Sequence, residues 1–354
     1  MRLAQQASHT SKTYRCHARR RVAVRASSPS VGVKLQPEWS GDQLLSRLVN
    51  WMISTKPLYA IMKVLAKQAM KSSAEGRGVG WEQHVQRLAA DPQLLQLKQE
   101  MEDLSLEYPD YYLKPFHAYE EGNLSWLAAY EVEPATLAMC IRTFKDQPSL
   151  SPNAAFDLLR TKVTDALQAY CRQHGVAAPA HIVDMGCSTG MSSRWLARQY
   201  PEAQVLGLDL SPYFLAVAER EERQLAAQAG APQRRVRYLH RLAERSGLPG
   251  HSADLVSFQF VIHECPQAAT RAFIAEARRV LRPGGVLMIV DNNPRSETIQ
   301  NLPPTLFTLM KSTEPWSDEY YSLDLEAAMS DAGFECVTTV ATDHRHRTVM
   351  GIAR

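Results

Sequence analysis

The pattern of hydrophobic and polar positions changes character at about residue 151. Beyond it, short apolar runs alternate with amphipathic stretches, which predicts strands alternating with helices. The seven strand candidates are HIVDM (181–185), QVLGLD (204–209), VRYLH (236–240), ADLVSF (253–258), GVLMIVD (285–291), ECVTTVA (335–341) and HRTVMGIA (346–353). Because several of these runs are apolar nearly throughout, they indicate a mostly parallel sheet covered on both faces. Residues 151–354 are therefore predicted to form one α/β, doubly wound domain with a seven-stranded sheet.

Amphipathic stretches between the strand candidates predict the helices that cover this sheet. SPNAAFDLLRTKVTDALQAYCRQHG (151–175) is predicted to be a capped helix, with Pro152 at its start and Gly175 past its end. The other predicted helices are near 190–199, near 212–229, near 267–281 and before Gly333.

Residues 31–150 are predicted to form a helical and aromatic cap region, an N-terminal extension of the α/β domain. Apolar residues at helical spacing predict a helix around 44–52, and after Pro57 the pattern resumes with several lysines. Two interpretations of this second piece stay open. It is either a helix packed on the main domain with a solvated basic face, or a peripheral membrane contact through residues 56–71. Residues 108–135 are unusually rich in aromatic side chains.

The charge distribution separates the first residues from the rest. Residues 1–26 hold seven basic side chains and no acidic one, whereas the whole chain of 354 residues has a net charge of +3. A segment rich in arginine and free of acids is typical of an organelle transit peptide. RVAVRASS (21–28) resembles a chloroplast processing region of plants and algae, with the mitochondrion as the alternative and a basic arm for nucleic acid or membrane as another. Because the remainder is slightly acidic, we expect no nucleic-acid partner.

Overall composition predicts an ordinary globular chain, with 45% hydrophobic and 22% charged residues. No run of eighteen apolar residues indicates a membrane-spanning helix. The six cysteines are scattered without short spacings, which argues against a zinc cluster and fits a reduced compartment. No metal site is predicted.

The tip of the first strand is the first place to look for a ligand, because doubly wound sheets bind ligands beyond the carboxyl ends of their strands. It reads DMGCSTG (184–190), with glycines that let the backbone approach a ligand closely. The second strand ends on Asp209, whose carboxylate can accept hydrogen bonds from both hydroxyls of a ribose. A dinucleotide site would want three glycines as G-x-G-x-x-G. Asp184 disfavours a pyrophosphate and suits a cofactor with an ammonium group.

These residues resemble the class I S-adenosylmethionine (SAM)-dependent methyltransferases. The loop matches their D-x-G-x-G-x-G pattern except at Ser188. LRPGGVLMIVD (281–291), ADLVSFQFVIHE (253–264) and LAERSGLP (242–249) resemble further family segments in the right order, and the resemblance covers roughly residues 155–354. It implies SAM as the cofactor and a small-molecule acceptor, as in the quinone- and small-molecule-methylating branch.

The resemblance also implies a set of cofactor-binding residues. Glycines of the loop would line the methionine end of SAM, Asp184 would organise the loop and Asp209 would hold the ribose. Leu210 would pack on the adenine, with the two residues after Leu242 at its edge. Leu242 itself replaces an acidic residue that many relatives have. The full predicted set is Asp184, Gly186, Cys187, Gly190, Asp209, Leu210, Ala243 and Glu244.

The acceptor side is predicted from the strand tips that face the methyl group. His263 is the candidate base, although a polar cap at a strand end would look the same in the sequence. His117 is a second candidate base, and Asp291 with Asn292 could bind a polar group of the acceptor. The insert at 292–322 begins at the same edge and is expected to overhang the pocket. Its apolar residues and those of the cap would form a lid over a small hydrophobic or aromatic acceptor, or simply attach the cap: Leu306, Phe307, Leu309, Met310, Trp316, Tyr320, Tyr321, Tyr111, Tyr112, Phe116, Tyr119 and Trp126.

Three functions compete at this point. The first is an organelle methyltransferase acting on a small acceptor. The second is a SAM-binding assembly or regulatory protein that no longer transfers methyl groups, suggested by the departures at Ser188 and Leu242. The third is an NAD-dependent reductase, which the missing glycine disfavours. The sequence does not define the oligomeric state.

Overall fold

The computed structural model describes residues 35–40, 67–68, 70–117, 119–228, 230 and 235–354. The predicted transit peptide (1–26) and most of the predicted membrane-contact segment (56–71) lie outside these residues. No helix of the described part is long and apolar enough to span a membrane.

A seven-stranded sheet forms the centre of the described structure, in the order β3-β2-β1-β4-β5-β7-β6. The strands are β1 His181–Met185, β2 Gln204–Asp209, β3 Val236–His240, β4 Ala253–Gln259, β5 Leu281–Asn292, β6 Phe334–Ala341 and β7 His346–Ala353. β1 to β5 are parallel, and β7 runs antiparallel between β5 and β6. This confirms the mostly parallel α/β prediction. The strand order reverses between β1 and β4, which places the switch point of the sheet directly after β1.

Besides helical residues at 70–75, eleven α-helices have defined bounds in the described residues. They are α1 Trp81–Ala89, α2 Gln93–Met101, α3 Trp126–Thr143, α4 Pro152–His174, α5 Met191–Gln199, α6 Pro212–Gln228, α7 Gln267–Val280, α8 Glu297–Gln300, α9 Pro304–Thr313, α10 Ser317–Ser322 and α11 Leu325–Asp331. In α4 the side chain of Ser151 accepts from Ala154 N, Pro152 occupies the first turn and Gly175 ends the helix at φ 69°. The caps thus lie where the sequence predicts them.

One strand boundary differs from the prediction by more than one residue. β5 begins at Leu281, four residues before the predicted start, because Leu281 pairs with Ala253 ahead of an irregularity in the β4–β5 ladder. The Pro283–Gly284 turn is therefore part of the strand, with Gly284 at φ 86°.

Apolar side chains fill both faces of the sheet. One core lies between the sheet, α7 and the insert, and the other lies between the sheet, α4 and α5. Trp39 joins the first core: its Nε1 donates to Ile299 O at 3.0 Å and its ring stacks on Phe307 at 5.6 Å. An N-terminal residue thereby becomes part of the packing of the insert.

Glu131 of α3 anchors the cap from a buried position. Its carboxylate pairs with Lys67 at 2.7 Å and with Lys71, and it accepts hydrogen bonds from Tyr119 and from Trp81 Nε1. Burial alone would raise the pKa of Glu131, but the hydrogen bonds from the two lysines lower it below its usual value. The carboxylate is therefore ionised and joins three segments of the cap.

Replacing Glu131 with glutamine is expected to loosen the cap by about 1–3 kcal/mol, because the lysines lose their anionic partner but stay partly solvated. Hydrogen exchange of the backbone amides in residues 70–89 would measure this. Glu82→Gln, which alters an exposed carboxylate in the first turn of α1, is the matched control. Equal exchange rates in the two variants would contradict the anchoring role.

Candidate active site

A cavity of about 530 Å³ opens at the carboxyl ends of the parallel strands. Its walls come from the loop after β1, the end of β2, the segment after β3, the segment after β4, the cap and the insert. The switch point of the sheet lies at its base, which is where doubly wound sheets bind ligands.

The loop after β1 is a series of left-handed backbone positions. Gly186, Ser188 and Gly190 have φ values of 71°, 51° and 77°. A Cβ at Gly186 would lie 2.7 Å from Val261 Cγ2, and one at Gly190 would lie 2.2 Å from Tyr238 Oη. Ser188 adopts the same left-handed conformation as its glycine neighbours, so its departure from the family pattern leaves the backbone path unchanged.

Gly190→Ala is expected to destabilise the protein by several kcal/mol, because the new methyl group clashes with Tyr238 in addition to the cost of the positive φ. Thermal unfolding would measure the loss. Ser188→Gly is the matched control in the same loop and should be neutral or slightly stabilising, since glycine adopts positive φ without that cost. Equal melting temperatures for Gly190→Ala and the unmodified protein would contradict the close approach of Tyr238 to this loop.

Asp209 ends β2 and faces the cavity. Its carboxylate accepts from Ser188 N at 2.7 Å and from Ser211 N at 2.8 Å. Burial raises the pKa of Asp209 to about 6; the backbone hydrogen bonds oppose this shift, and the nearby Glu264 adds to it. Asp209 therefore ties the β1 loop to the β2 tip while its oxygens border the cavity.

Asp184 is buried beneath the loop. Its Oδ2 accepts from the hydroxyls of Ser192 and Ser193 at 2.6 and 2.7 Å, which fixes the start of α5. Within the described residues, the cavity wall includes neither Asp184 nor Gly190. These contacts suit the predicted organising role of Asp184, and a direct contact of either residue with the cofactor stays a prediction.

The other predicted cofactor residues all line the cavity: Gly186, Cys187, Asp209, Leu210, Ala243 and Glu244. Tyr111 of the cap donates to Glu244 Oε1 at 2.9 Å. Glu244 Oε2 is buried and has no hydrogen-bond partner in the described part of the chain. Glu244 Oε2 can therefore accept a hydrogen bond from a ligand at the position predicted for the adenine, beside the apolar Leu242.

Arg160 of α4 is a site residue that sequence reasoning missed. It is buried, lines the cavity and donates from Nη1 to Gln259 Oε1, while its guanidinium lies 5.6 Å from the ring centre of Phe260. Its Nε is buried without a partner among the described residues. Burial lowers the pKa of Arg160, whereas Asp184 raises it. The sequence signal that could have identified Arg160 is its position on the apolar face of α4, one turn after Phe156, where a charged residue is unusual.

His263 lies in a short 3₁₀ helix, Ile262–Glu264, that follows β4. Its Nδ1 is 2.9 Å from Asp291 Oδ1, and its backbone N donates to Asp291 Oδ2 at 3.2 Å. Burial disfavours the charged ring, but Asp291, Glu314 and Glu264 outweigh that effect and raise the pKa of His263 to about 10. Asp291 therefore fixes the ring orientation, and Nε2 is left for other contacts.

The cap brings His117 to the same place. Its backbone N donates to Thr313 O at 2.9 Å, and its Nε2 lies 3.8 Å from Glu314 Oε1. His117 has a φ of 48°, which is uncommon for a residue other than glycine. The two candidate bases of the sequence, His117 and His263, thus meet in one cluster with Glu314.

The aromatic and aliphatic residues of the cap and insert divide into two groups, which line the cavity or pack in the core. Those that line the cavity include Tyr111, Tyr112, Phe116, Tyr119, Leu306, Met310 and Trp316. Phe307, Tyr320 and Tyr321 are instead buried in the core around Trp39, and Trp126 packs on Tyr213 at 5.0 Å. The residues that pack in the core attach the insert, whereas the lining residues are placed where the predicted lid would be, and that role stays a prediction.

These features define a class before any comparison: an α/β enzyme that binds a nucleoside cofactor at the switch point of a doubly wound sheet. Comparison with known proteins identifies the family within this class. A family profile described as a methyltransferase domain matches residues 183–289. An uncharacterized methyltransferase of Synechocystis sp. is 30% identical over 157 residues, which cover 44% of this chain and 67% of that protein.

Other similarities extend over smaller or more divergent parts. The trans-aconitate 2-methyltransferase of Methylobacterium nodulans is 36% identical over 114 residues, covering 32% of this chain and 39% of that enzyme. A solved structure from Nostoc punctiforme, described as a putative O-methyltransferase, has a TM-score of 0.47 at 18% identity and covers 83% of this chain and 72% of that one.

The chain belongs to the SAM-dependent methyltransferase family, and its cofactor is SAM. The NAD-dependent reductase suggested as a third interpretation of the sequence is thereby excluded. The chain spans only 39% of the length of the trans-aconitate enzyme. The acceptor of that enzyme is therefore not assigned to this chain.

Proposed function

We propose that this methyltransferase acts on a small, hydrophobic or aromatic acceptor that binds under the cap and the insert, in an organelle. The observation that carries the proposal is that one cavity contains both six of the eight predicted SAM residues and a largely apolar wall with a polar cluster. A cavity of about 530 Å³ is within the range of small-molecule sites. The chloroplast is the proposed compartment, with the mitochondrion as the alternative, and residues 56–71 are a proposed membrane contact.

The residues present fit SAM. Asp209 supplies a carboxylate for the ribose, Glu244 Oε2 an acceptor without a partner for the adenine amino group, and Arg160 a buried cation for the methionine carboxylate. At Gly186 a side chain would fill the space beside Val261. When bound, SAM supplies an electrophilic methyl group on its sulfonium.

The protein's own part in the reaction is to align the acceptor and to exclude water. Positioning of this kind can supply about 7–11 kcal/mol of the barrier. The apolar side chains Leu306, Met310 and Trp316 would exclude water above the acceptor. His263, held by Asp291, and Asn292 would orient its polar atom from the tips of β4 and β5.

A carboxylate-bearing acceptor is the second candidate, and one observation favours it. Arg142 and Arg345 also line the cavity, and burial together with the charge of Arg345 lowers the pKa of Arg142. Two guanidinium groups so placed would attract an anionic acceptor.

Labelled SAM incubated with separated plastid extracts tests the proposal. We expect labelled product in the neutral lipid fraction; label only in the acidic small-molecule fraction would favour the second candidate. SAM binding without product from any fraction would contradict both candidates and favour the SAM-binding protein without methyl transfer. Asp209→Ala serves as the cofactor-deficient control.

A further inference from the structure

Three side chains from separate parts of the chain meet at the acceptor end of the cavity. One nitrogen each of His117 and His263 and one carboxylate oxygen of Glu314 lie within 4.8 Å of one another. They come from the cap, from the 3₁₀ helix after β4 and from the residue after α9. All three line the cavity, so a ligand that they hold would face the bound acceptor.

We propose that His117, His263 and Glu314 bind one divalent transition-metal ion of the zinc type. Two imidazole nitrogens and one carboxylate are donors that such ions prefer. Three protein ligands leave a coordination position open, which is the arrangement of catalytic rather than structural zinc sites. The sequence predicted no metal site because these ligands lie far apart along the chain and none of them is a cysteine.

The contacts behind His263 support this assignment. Histidines that bind a metal usually donate the other ring N–H to a carboxylate, which orients the ring. Asp291 occupies this position: its Oδ1 lies 2.9 Å from His263 Nδ1. Nε2 of His263 is therefore the nitrogen available to an ion.

An acceptor atom without a hydrogen-bond partner also favours a cation at this cluster. Glu314 Oε2 is buried and has no hydrogen-bond partner in the described part of the chain, and Glu264 and Asp291 lie close to the same histidine. Buried carboxylates without partners are costly, and a divalent ion would offset that cost.

The ligands can close onto an ion. His117 Nε2 and Glu314 Oε1 are 3.8 Å apart, and each would lie about 2.0–2.2 Å from a bound zinc. His117 is 43% exposed on a loop of the cap, so its side chain has room to move inward. The hydrogen bond from His117 N to Thr313 O already holds this loop beside Glu314.

The role of the ion rests on the proposed function. At the open position it would polarise a hydroxyl of the acceptor and favour loss of its proton. That proton would pass to Glu314 Oε2. The acceptor oxygen would form a bond to the methyl carbon as the S–C bond of SAM breaks, and neutral S-adenosylhomocysteine would leave.

Calorimetric titration of the full, chelator-treated chain with Zn²⁺ tests the site, and Co²⁺ provides a visible absorption band as a second readout. We expect one ion per chain. His117→Gln and Glu314→Gln should each weaken Zn²⁺ binding at least about 10-fold, and Asp291→Asn about 10–100-fold. The matched control is His181→Gln. His181 is half-exposed and lies beside Asp254 at the amino ends of the parallel strands, so this variant should bind Zn²⁺ as the unmodified chain does.

Equal Zn²⁺ affinity in the unmodified chain and in a His117→Gln/Glu314→Gln double variant would overturn the proposal. SAM binding, measured in parallel, reports whether each variant folds. If the Glu314 variant does not fold, His117→Gln alone still tests the proposal. Methyl transfer that persists without any Zn²⁺ binding would refute the metal site and leave the proposed function intact. Stoichiometric Zn²⁺ binding that these variants abolish would support the site even if no extract yields product.

Discussion

Asp209→Asn is expected to weaken SAM binding about 100-fold at pH 8 while making the SAM-free protein more stable. The amide cannot accept hydrogen bonds with both of its terminal atoms, and hydrogen bonds to a charged group contribute about 1.5–3 kcal/mol each. Isothermal calorimetry with SAM would measure the first effect, and thermal unfolding the second.

The gain in stability follows from the pKa of Asp209, which is raised to about 6 in the folded chain. Ionising this buried carboxylate costs the folded state about 3 kcal/mol relative to an ordinary aspartate. The cost is absent below about pH 4 and complete above about pH 6, so the variant should gain stability only as the pH rises through this window. Lost hydrogen bonds to Ser188 and Ser211 reduce the gain to about 1–2 kcal/mol, or a few degrees.

The same titration predicts that the unmodified protein binds SAM more weakly as the pH falls below about 6, because the protonated carboxyl accepts fewer hydrogen bonds. Asp254→Asn is the matched control. This aspartate pairs with Arg282 at the amino ends of the parallel strands, away from the cavity, and its pKa is lowered. That variant should lose stability and keep its SAM affinity. Unchanged SAM affinity in Asp209→Asn would remove Asp209 from the cofactor site.

His263→Gln is expected to lower kcat at least about 100-fold and to change the dissociation constant of SAM less than about threefold, a loss typical of a positioned group at the reacting atoms. We expect this effect because the ring of His263 lies at the tip of β4, at the acceptor end of the cavity, and Asp291 fixes its orientation. Single-turnover kinetics with labelled SAM would separate the chemical step from binding.

Asp291→Asn provides the companion test, because it keeps the size of the side chain but removes the charge that orients His263. It should lower kcat about 10-fold and leave KM for SAM unchanged. His181→Gln should change neither constant. A parallel loss of SAM affinity in His263→Gln would mean that the histidine supports the fold of the site rather than the reaction.

The strands could be predicted because each is recognisable from its own residues. β1 and β2 have the predicted bounds, since each is a short, mostly apolar run that is followed by a turn: Gly186 follows β1, and Ser211 and Pro212 come after β2. The start of β5 could not be predicted, because the pairing of Leu281 with Ala253 depends on a neighbouring strand. The predicted cofactor residue Asp209 follows from the strand tip in the same local way, whereas Leu210 was predicted from the family resemblance.

Arg160 and Glu314 are two candidate site residues that could not be predicted from the sequence. Nothing in the local pattern of either segment distinguishes these side chains from packing or solvated ones. Their proposed roles depend on contacts across the fold: Arg160 with Gln259, and Glu314 with His117. His117 and His263 were predicted separately as candidate bases, because the sequence predicts a lid from the cap but not which side chain of the cap lies beside the tip of β4.

The position of Trp39 limits how the protein can be processed. Its indole ring is buried against Phe307 and Tyr321, and its Nε1 bonds to Ile299 O. A protease that removed this tryptophan would expose the aromatic base of the insert, the same segment that walls the acceptor end of the cavity. Maturation of the N-terminus is therefore compatible with an intact insert only if the cut falls before residue 39.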